Sequence, residues 1–388
     1  MNSVKGTNQP NYLPLPNRCS DDALIEMAQI VKTFKNAAGE FTALNEVTAC
    51  FYEGEFVSVV GKSGSGKSTL VNMITGIDHP TSGTVRIGDA YVHALSESDM
   101  SIWRGKNLGI VFQFFQLLPT MSLLENVMLP MYLSGQYSPA EREERALSLL
   151  KLVGLEGLDD KLPAAVSGGQ QQCAAIARAL ANDPPILIAD EPTGNLDSRT
   201  AEEIYDLFAG LIDQGKTILM VTHDISLSER TTRTLLISDG ELINPWVASA
   251  LPHLGHSQLL WLTHNLKARQ LPAGAIVPDL HSQGDWLILV AGGQLEVLDD
   301  RGGHREQPLM RLGAGNALSS LDLQASGIKQ LRLRAVGEAV EFLVTEGQEL
   351  KRWLNETPTN RSILQKVEQV SPLMMAGRVR DGYRGLSV

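Results

Sequence analysis

The spacing of apolar and polar residues changes once along the chain, close to Pro245. Before that point, continuous apolar runs typical of buried parallel strands alternate with stretches at helical spacing. The predicted strands cover residues 56–60, 186–189 and 217–221, and the two clearest predicted helices cover residues 141–153 and 171–181. This alternation predicts an α/β domain in which helices flank a mostly parallel sheet.

Beyond Pro245 the pattern has the period of strands. Residues 249–270 predict one or two short helical segments, and a further helix is expected around residues 349–355. The predicted strands cover residues 286–290, 295–298, 331–336 and 340–344. The pair Gly292-Gly293 predicts a turn between the first two of them. Short strands separated by glycines predict a small, mainly β domain of the barrel or jelly-roll kind.

The chain has 388 residues, which is enough for two domains. We expect a polar N-terminal extension at residues 1–23, the α/β domain at 24–245, the β domain at 246–365 and a C-terminal tail at 366–388. The boundary near Pro245 follows from the change of pattern alone.

Composition narrows the class of protein. The net charge of −11 argues against broad nucleic-acid binding, because proteins that neutralise phosphate backbones carry a basic surface. No apolar run approaches the roughly 18 residues of a membrane-spanning helix. The N-terminus lacks the basic start and apolar core of a signal peptide. Any link to a membrane is therefore expected to run through a partner protein.

The three cysteines are Cys19, Cys50 and Cys173. They are far apart, odd in number, and none belongs to a Cys-x-x-Cys motif. We therefore expect neither a disulfide nor a zinc framework, and the reducing cytoplasm fits this pattern best.

Residues 61–69 follow a predicted strand and open a predicted helix, which is the context of a phosphate-binding P-loop. Glycines let the backbone wrap closely so that its N–H groups point at phosphates, and the helix N-terminus adds a favourable dipole. Lys67 is expected to bridge the phosphates, and Ser68 to ligate Mg²⁺. The candidate nucleotide-binding residues here are Gly61, Ser63, Gly64, Ser65, Gly66, Lys67, Ser68 and Thr69.

A P-loop alone leaves kinases, GTPases and motor ATPases open. The apolar run at 186–189 ends in Asp190 and Glu191. Asp190 lies where a carboxylate can hold Mg²⁺, and Glu191 can activate a water in line with the γ-phosphate. Taken alone, two acids at a strand end are often no more than a solvated strand end.

Residues 166–170 read Val-Ser-Gly-Gly-Gln and directly precede a predicted helix. This run resembles the signature motif of the ATPases of ABC transporters. A serine hydroxyl, glycine N–H groups and a helix N-terminus together make a second anion site. The resemblance implies a head-to-tail homodimer in which each ATP lies between one P-loop and the signature of the other copy, formed by Ser167, Gly168, Gly169 and Gln170.

Other residues stand in the order that this family uses. The resemblance implies that Gln113 senses Mg²⁺ and the attacking water, that His223 contacts the γ-phosphate, and that Asp197 lies at the dimer seam. Phe34 is placed where the family stacks an aromatic ring on adenine, although Phe34 could instead be a core residue. Cys173 departs from the pattern, because relatives normally carry a basic residue at this position.

The sequence lacks the features of several classes of ABC ATPase that do not take part in transport. It has no heptads or long insertion between Lys67 and Asp190, no second cassette and no cysteine cluster. Residues 24–245 resemble the ATPases of lipoprotein-release, macrolide-export and related mechanotransmission systems. The resemblance implies integral membrane permease subunits as partners and a peripheral location on the cytoplasmic face of the inner membrane. Phe114, Phe115, Leu117 and Leu118 are either the docking site of such a partner or domain core.

Residues 249–365 resemble a cyclic-nucleotide-binding domain, on the strength of the runs at 271–276, 286–298 and 312–316. The family's Glu and Arg that hold ribose and phosphate are both missing between Leu312 and Leu331. Ser319 and Ser320 stand near the expected Gly-Glu, and Lys329 lacks the bidentate fork of arginine. We expect protein contact or dimerisation rather than a bound cyclic nucleotide, and the solvated face of a strand for Arg332 and Arg334.

The expected function is ATP hydrolysis that drives a membrane partner, with ATP and Mg²⁺ as ligands. One alternative is a regulator or timer that acts through the C-terminal domain without transport. Another is an ATPase acting on DNA or the ribosome, which the net charge and missing insertions disfavour.

Overall fold

The computed structural model describes residues 19–36, 39–194, 196–223, 230–277, 285–299, 307–320, 331–346 and 348–356. The chain divides after Leu242 into two compact units. Within the described residues, no helix is both long enough and apolar enough to cross a bilayer.

The first unit contains two sheets and a helical layer. Its strands are β1 (Ile25–Asn36), β2 (Gly39–Phe51), β3 (Phe56–Val60), β4 (Ser82–Ile87), β5 (Ala90–Tyr91), β6 (Leu108–Val111), β7 (Ile186–Asp190), β8 (Thr217–Thr222), β9 (Arg233–Ser238) and β10 (Glu241–Leu242). Its helices are α1 (Lys67–Thr75), α2 (Glu97–Asn107), α3 (Leu123–Ser134), α4 (Pro139–Leu152), α5 (Gly168–Ala179) and α6 (Ser198–Asp213).

A six-stranded sheet forms the centre of this unit, in the order β10-β9-β3-β8-β7-β6. Strand β3 runs parallel to β8 and β9, and β7 runs parallel to β6 and β8. The three predicted apolar strands are confirmed as β3, β7 and β8, and all five residues of β3 are buried. Because parallel strands are covered on both faces, their sequences lack alternation.

A second, antiparallel sheet has the order β2-β1-β4-β5. It shares one apolar core with α1 and one side of the central sheet. Helices α3, α4 and α5 pack with the other side of the central sheet in a second core. The predicted helices at 141–153 and 171–181 are confirmed as α4 and α5, each of which begins with a serine capping box.

The expectation that the cysteines form no disulfide is wrong, because Cys19 and Cys50 are disulfide-bonded. That prediction relied on the large separation of the cysteines along the chain. The antiparallel pairing of β1 with β2, however, returns Cys50 to the start of β1, so that the two Cα atoms lie 5.6 Å apart. The cysteines therefore lend no support to a reducing compartment.

The second unit contains the strands β11 (Lys267–Leu271), β12 (Trp286–Asp299), β13 (Gln307–Gly313), β14 (Ala317–Ser319) and β15 (Leu331–Glu346) and the helices α7 (Pro245–Ala250), α8 (His256–Asn265) and α9 (Gln348–Glu356). Its sheet has the order β11-β15-β12-β13, and β14 also pairs with β12. The helices predicted before and after these strands along the chain are confirmed. The tail at 366–388 and Lys329 lie outside the described residues.

The predicted turn at Gly292-Gly293 is wrong, because β12 passes through these residues without reversing. Its register against β15 shifts on either side of Gly292, which marks an irregularity in the ladder. Gly293 has a φ of 76°, and a Cβ there would lie 2.9 Å from the carbonyl oxygen of Ala339. The glycine pair therefore bends a long strand where the sequence pattern indicated a chain reversal.

This bend gives a testable prediction. Gly293→Ala should destabilise the second unit by about 2–4 kcal/mol, since left-handed strain and a backbone clash add together. Gly337→Ala is the matched control: Gly337 has a φ of 80° on β15 but no atom within 4 Å of a built Cβ. The control should show the strain alone, about 1 kcal/mol. Calorimetric unfolding of the full chain measures both, and equal losses would contradict a tightly packed bend.

Candidate functional site

The P-loop connects the buried strand β3 to helix α1. Gly64 and Gly66 have φ angles of 79° and 101°, in the left-handed region that favours glycine. A Cβ on Gly66 would lie 2.5 Å from the carbonyl oxygen of Ala43, so only glycine fits there. No side chain caps the N-terminus of α1. The first-turn N–H groups are thus available to an anion.

The side chain of Lys67 lies folded over this loop. It is 8% exposed, and its Nζ donates to the carbonyl oxygens of Gly61 (2.8 Å) and Lys62 (2.9 Å). The hydroxyl of Ser65 is buried without a hydrogen-bond partner among the described residues. Because these hydrogen-bond acceptors are neutral carbonyls, the positive charge of this buried ammonium is available to attract a phosphate.

Asp190 ends strand β7 beside the P-loop. Burial raises the pKa of its carboxyl group, while a hydrogen bond from Ser68 and the charge of Lys67 oppose that rise. Its Oδ1 atom is buried and has no hydrogen-bond partner among the described residues. A carboxylate with an unused oxygen next to a hydroxyl fits a Mg²⁺ ion that takes its remaining ligands from phosphate and water.

Glu191 follows Asp190 with a strained backbone. Its φ of 50° is unusual for a residue with a side chain, and its N–H donates to the carbonyl oxygen of Val221 at 2.9 Å. Its Oε2 lies 2.7 Å from Nδ1 of His223, which comes directly after β8. Since β7 and β8 are parallel neighbours, the two side chains leave the same edge of the sheet. Such strain is typical of residues that a site holds in place for chemistry.

These groups surround one cleft of about 470 Å³. Its lining includes the following predicted residues: Phe34, Ser63, Gly64, Gly66, Lys67, Ser68, Thr69, Gln113, Asp190, Glu191 and His223. The structure thus brings together the P-loop, the acidic strand end, the histidine and Gln113, which are far apart in the sequence. Gly61 and Ser65 belong to the loop but do not line the cleft; a Cβ on Gly61 would lie 2.4 Å from the carbonyl oxygen of Ile237.

Phe41 also lines the cleft, and the sequence interpretation missed it. It lies directly opposite Phe34 across the β1–β2 pair. The two rings are 41% (Phe34) and 59% (Phe41) exposed, which is unusual for phenylalanine in a core. Residues paired across strands present their side chains on one face. Glycine at position 39 between two alternating runs is the signal that could have indicated this hairpin and its register.

The signature residues lie outside this cleft. Ser167 caps helix α5: its hydroxyl accepts from the N–H of Gln170 at 3.2 Å, and the Gln170 side chain accepts from the N–H of Ser167 at 2.9 Å. Ser167 and Gly168 are exposed, and Gly169 is half-buried. This exposed helix N-terminus therefore faces solvent in the single chain.

Asp197 has a similar role on helix α6. Its carboxylate accepts from the N–H groups of Arg199 and Thr200, both at 3.1 Å. Hydrogen bonds from Thr200 hold the pKa of this carboxyl group below its usual range. Asn195, two residues before Asp197, lies outside the described residues.

Cys173, the departure from the family pattern, is buried in α5. Burial and then the charges of Glu203 and Asp197 raise the pKa of its thiol to about 11. The thiol is therefore neutral at physiological pH and behaves as a small apolar core residue.

Comparisons with known proteins agree on one family. A family model described as ABC transporter matches residues 44–194. The ABC transporter ATP-binding protein MJ0796 of Methanocaldococcus jannaschii is 44% identical over 56% of this chain and 95% of its own length. The lipoprotein-releasing system ATP-binding protein LolD of Idiomarina loihiensis is 41% identical over 57% of this chain and 97% of its own length.

Solved structures give the same result. The dimeric post-hydrolysis state of the MJ0796 cassette bound to ADP and Pi is 43% identical, with a TM-score of 0.55, and the alignment covers 56% of this chain and 96% of that one. A second dimeric MJ0796 structure matches with 44% identity and the same score. Since nearly the full length of these relatives is covered at such identity, the chain belongs to the ATP-binding proteins of the ABC transporter family and is an ATPase.

Proposed function

We propose that two copies of this chain close around two ATP molecules and drive integral membrane permease subunits of the lipoprotein-release or export type. The proposal rests on the separation of two candidate anion-binding sites within one chain. The P-loop has its cleft, while the N-terminus of α5 is exposed elsewhere. A second copy placed head to tail brings its signature to the open side of the cleft, as befits relatives described as dimeric.

Within the cleft, each group has a role that its position supports. Lys67 and the N–H groups of α1 bind the β- and γ-phosphates. Glu191 takes a proton from the attacking water, while His223 fixes the Glu191 carboxylate and reaches the γ-phosphate. Asp190 and Ser68, with Gln113, would hold Mg²⁺, which neutralises charge on the phosphate oxygens when bound.

The segment after Gln113 supports docking of a partner. Phe114 is 72% exposed and Leu118 is 41% exposed, whereas Phe115 is half-buried and Leu117 packs against the core of the helical layer. The apolar cluster thus contains exposed residues, which suit a docking site, and residues packed into the domain, as core residues are. Beside it lies a groove of about 290 Å³, lined by residues that include Phe112, Gln116, Pro130 and Arg178. An amphipathic helix of a permease subunit fits such a groove.

For the second unit we propose a cyclic-nucleotide-binding-like fold used for contact with protein. The described residues of this unit form an apolar core, which includes Trp286, Val297 and Phe342. Ser320 accepts from the N–H of Trp286 at 3.2 Å and donates to Asp285, so it serves the fold. Of the two arginines assigned to a strand face, Arg334 pairs with Glu296 at 2.8 Å.

The catalytic assignment predicts the behaviour of Glu191→Gln. Loss of the general base should lower turnover about 10²–10⁴-fold, while MgATP still binds because the P-loop is intact. The trapped variant should form a stable dimer with MgATP in size-exclusion chromatography, and ADP should not support that dimer. Hydrolysis at the wild-type rate would contradict the role of Glu191.

The aromatic pair predicts a change in nucleotide binding. Phe34→Ala and Phe41→Ala should each raise the KM for ATP about 5- to 100-fold with little change in kcat, since stacking on a base contributes about 1–3 kcal/mol. Tyr91→Ala removes an aromatic ring that is 54% exposed outside the cleft, and it is the control. If only Phe34→Ala raised KM, Phe41 would have no part in binding the base.

The permease proposal is tested in membranes. Tagged Glu191→Gln, solubilised gently with MgATP, should co-purify with a multi-pass membrane protein identified by mass spectrometry. Adding Phe114→Asp should abolish that recovery, because a charge would enter the apolar contact, and adding Tyr91→Asp should not. Recovery of soluble proteins alone would favour the regulator or timer instead.

A further inference from the structure

The segment from Phe112 to Met121 carries Gln113 and lacks regular structure, yet side chains from two helices hold it. At its far end, Asn126 of α3 is fully buried. The Asn126 amide accepts from the N–H of Leu118 at 2.7 Å and donates to the Leu118 carbonyl oxygen at 3.1 Å. These bonds replace backbone partners that a loop would otherwise lack.

Nearer to Gln113, the loop is bound by Arg178 from the last turn of α5. The guanidinium donates from Nη2 to the carbonyl oxygen of Phe115 at 2.8 Å and from Nη1 to the carbonyl oxygen of Gln116. Burial lowers the pKa of Arg178, but the guanidinium remains charged. The planar fork suits two neighbouring carbonyls, which a lysine cannot match. Gln116 has a φ of 54°, so this contact fixes the loop where its backbone is strained.

The ring of Phe115 in the same loop also lies near the other end of α5. A Cβ on Gly168 of the signature would lie 3.7 Å from the ring of Phe115. Helix α5 is one continuous segment, and most of its residues between Gly168 and Arg178 are buried in the core of the helical layer. Close packing of this kind resists deformation. The loop is therefore bonded to the last turn of the signature helix through Arg178, and its Phe115 ring lies near the start of that helix.

We infer that Arg178 is a positioning residue, which fastens the Gln113 loop to the signature helix, so that Gln113 at this chain's cleft and the signature presented to the other copy are positioned together. Gln113 is only two residues before Phe115, and it lines the nucleotide cleft. Its position in the cleft is thus set by the carbonyl that Arg178 holds. This inference deepens the proposed function and depends on the role given there to Gln113.

The chain provides a matched control in Arg145 of α4. Its guanidinium donates to the carbonyl oxygens of Ala181 (2.6 Å) and Leu180 (3.2 Å), directly after α5. Both arginines therefore bond two backbone carbonyls in the helical layer, but only Arg178 bonds the Gln113 loop. Replacement by lysine should cost similar stability at both positions.

The test measures MgATP hydrolysis by the full chain. Arg178→Lys should lower kcat about 10-fold or more and change KM little, because a misplaced group near the reacting atoms costs rate rather than affinity. Arg145→Lys should leave kcat unchanged. In the double variant Gln113→Ala/Arg178→Lys, kcat should equal that of Gln113→Ala, since Arg178 acts through Gln113.

The outcomes distinguish the role of Gln113 from the role of Arg178. If Gln113→Ala hydrolyses ATP normally, the proposed role of Gln113 fails and Arg178 has nothing to position. If Gln113→Ala is slow but Arg178→Lys behaves like Arg145→Lys, or the two losses multiply, the inference about Arg178 alone is overturned.

A second measurement does not require an arginine variant to fold. Spin labels on Phe114→Cys and Gln171→Cys report the distance between the loop and the signature helix in a chain with Arg178 intact. That distance distribution should be the same with and without MgATP, because the two segments are attached. A change on adding MgATP would show that they move independently and would overturn the inference.

Discussion

The parallel pairing of β3 with β8, and of β8 with β7, is the constraint on which the site depends. It places the carboxyl ends of three strands at one edge of the sheet, and three of the groups proposed to act on the nucleotide leave from that edge. Lys67 follows β3, Asp190 ends β7 and His223 follows β8. A register slip in any of these pairs would separate side chains that now line one cleft. The buried apolar faces of the strands fix that register.

Helix α5 illustrates how one element meets two demands. Its N-terminus carries a capping box, which stabilises the start of the helix. Gly168 is nevertheless exposed, so this end of the helix stays accessible. Its middle is buried among α3, α4 and the central sheet, where Cys173 contributes volume without charge. Its last turn bonds the Gln113 loop through Arg178, and its first turn lies near Phe115 of the same loop. The helix thus combines a polar, exposed first turn with an apolar, buried middle.

The groups that sequence reasoning found are those whose chemistry is local. The P-loop, the Asp190-Glu191 pair and the strands that carry them are read from adjacent residues, because a short run determines their shape. Phe41 and the Cys19–Cys50 disulfide were not found, since both depend on the register of one hairpin. A glycine pair between alternating runs predicts a reversal unless the pairing partner is known, whereas the structure has a bend at Gly293 within one strand. Arg178 carries no local signal, as its partners are backbone carbonyls more than sixty residues earlier.

Strand order also has a consequence for folding during synthesis. The two neighbours of β3 in the sheet are β8 and β9, whereas β1 pairs with β2 across a short hairpin. The hairpin, with its two phenylalanines, can form as soon as its own residues have left the ribosome. The P-loop strand must wait for residues beyond Thr217, and such long-range pairing is slow. Nucleotide added to a nascent chain would therefore bind only after nearly the whole first unit had emerged, so binding reports that its folding is complete.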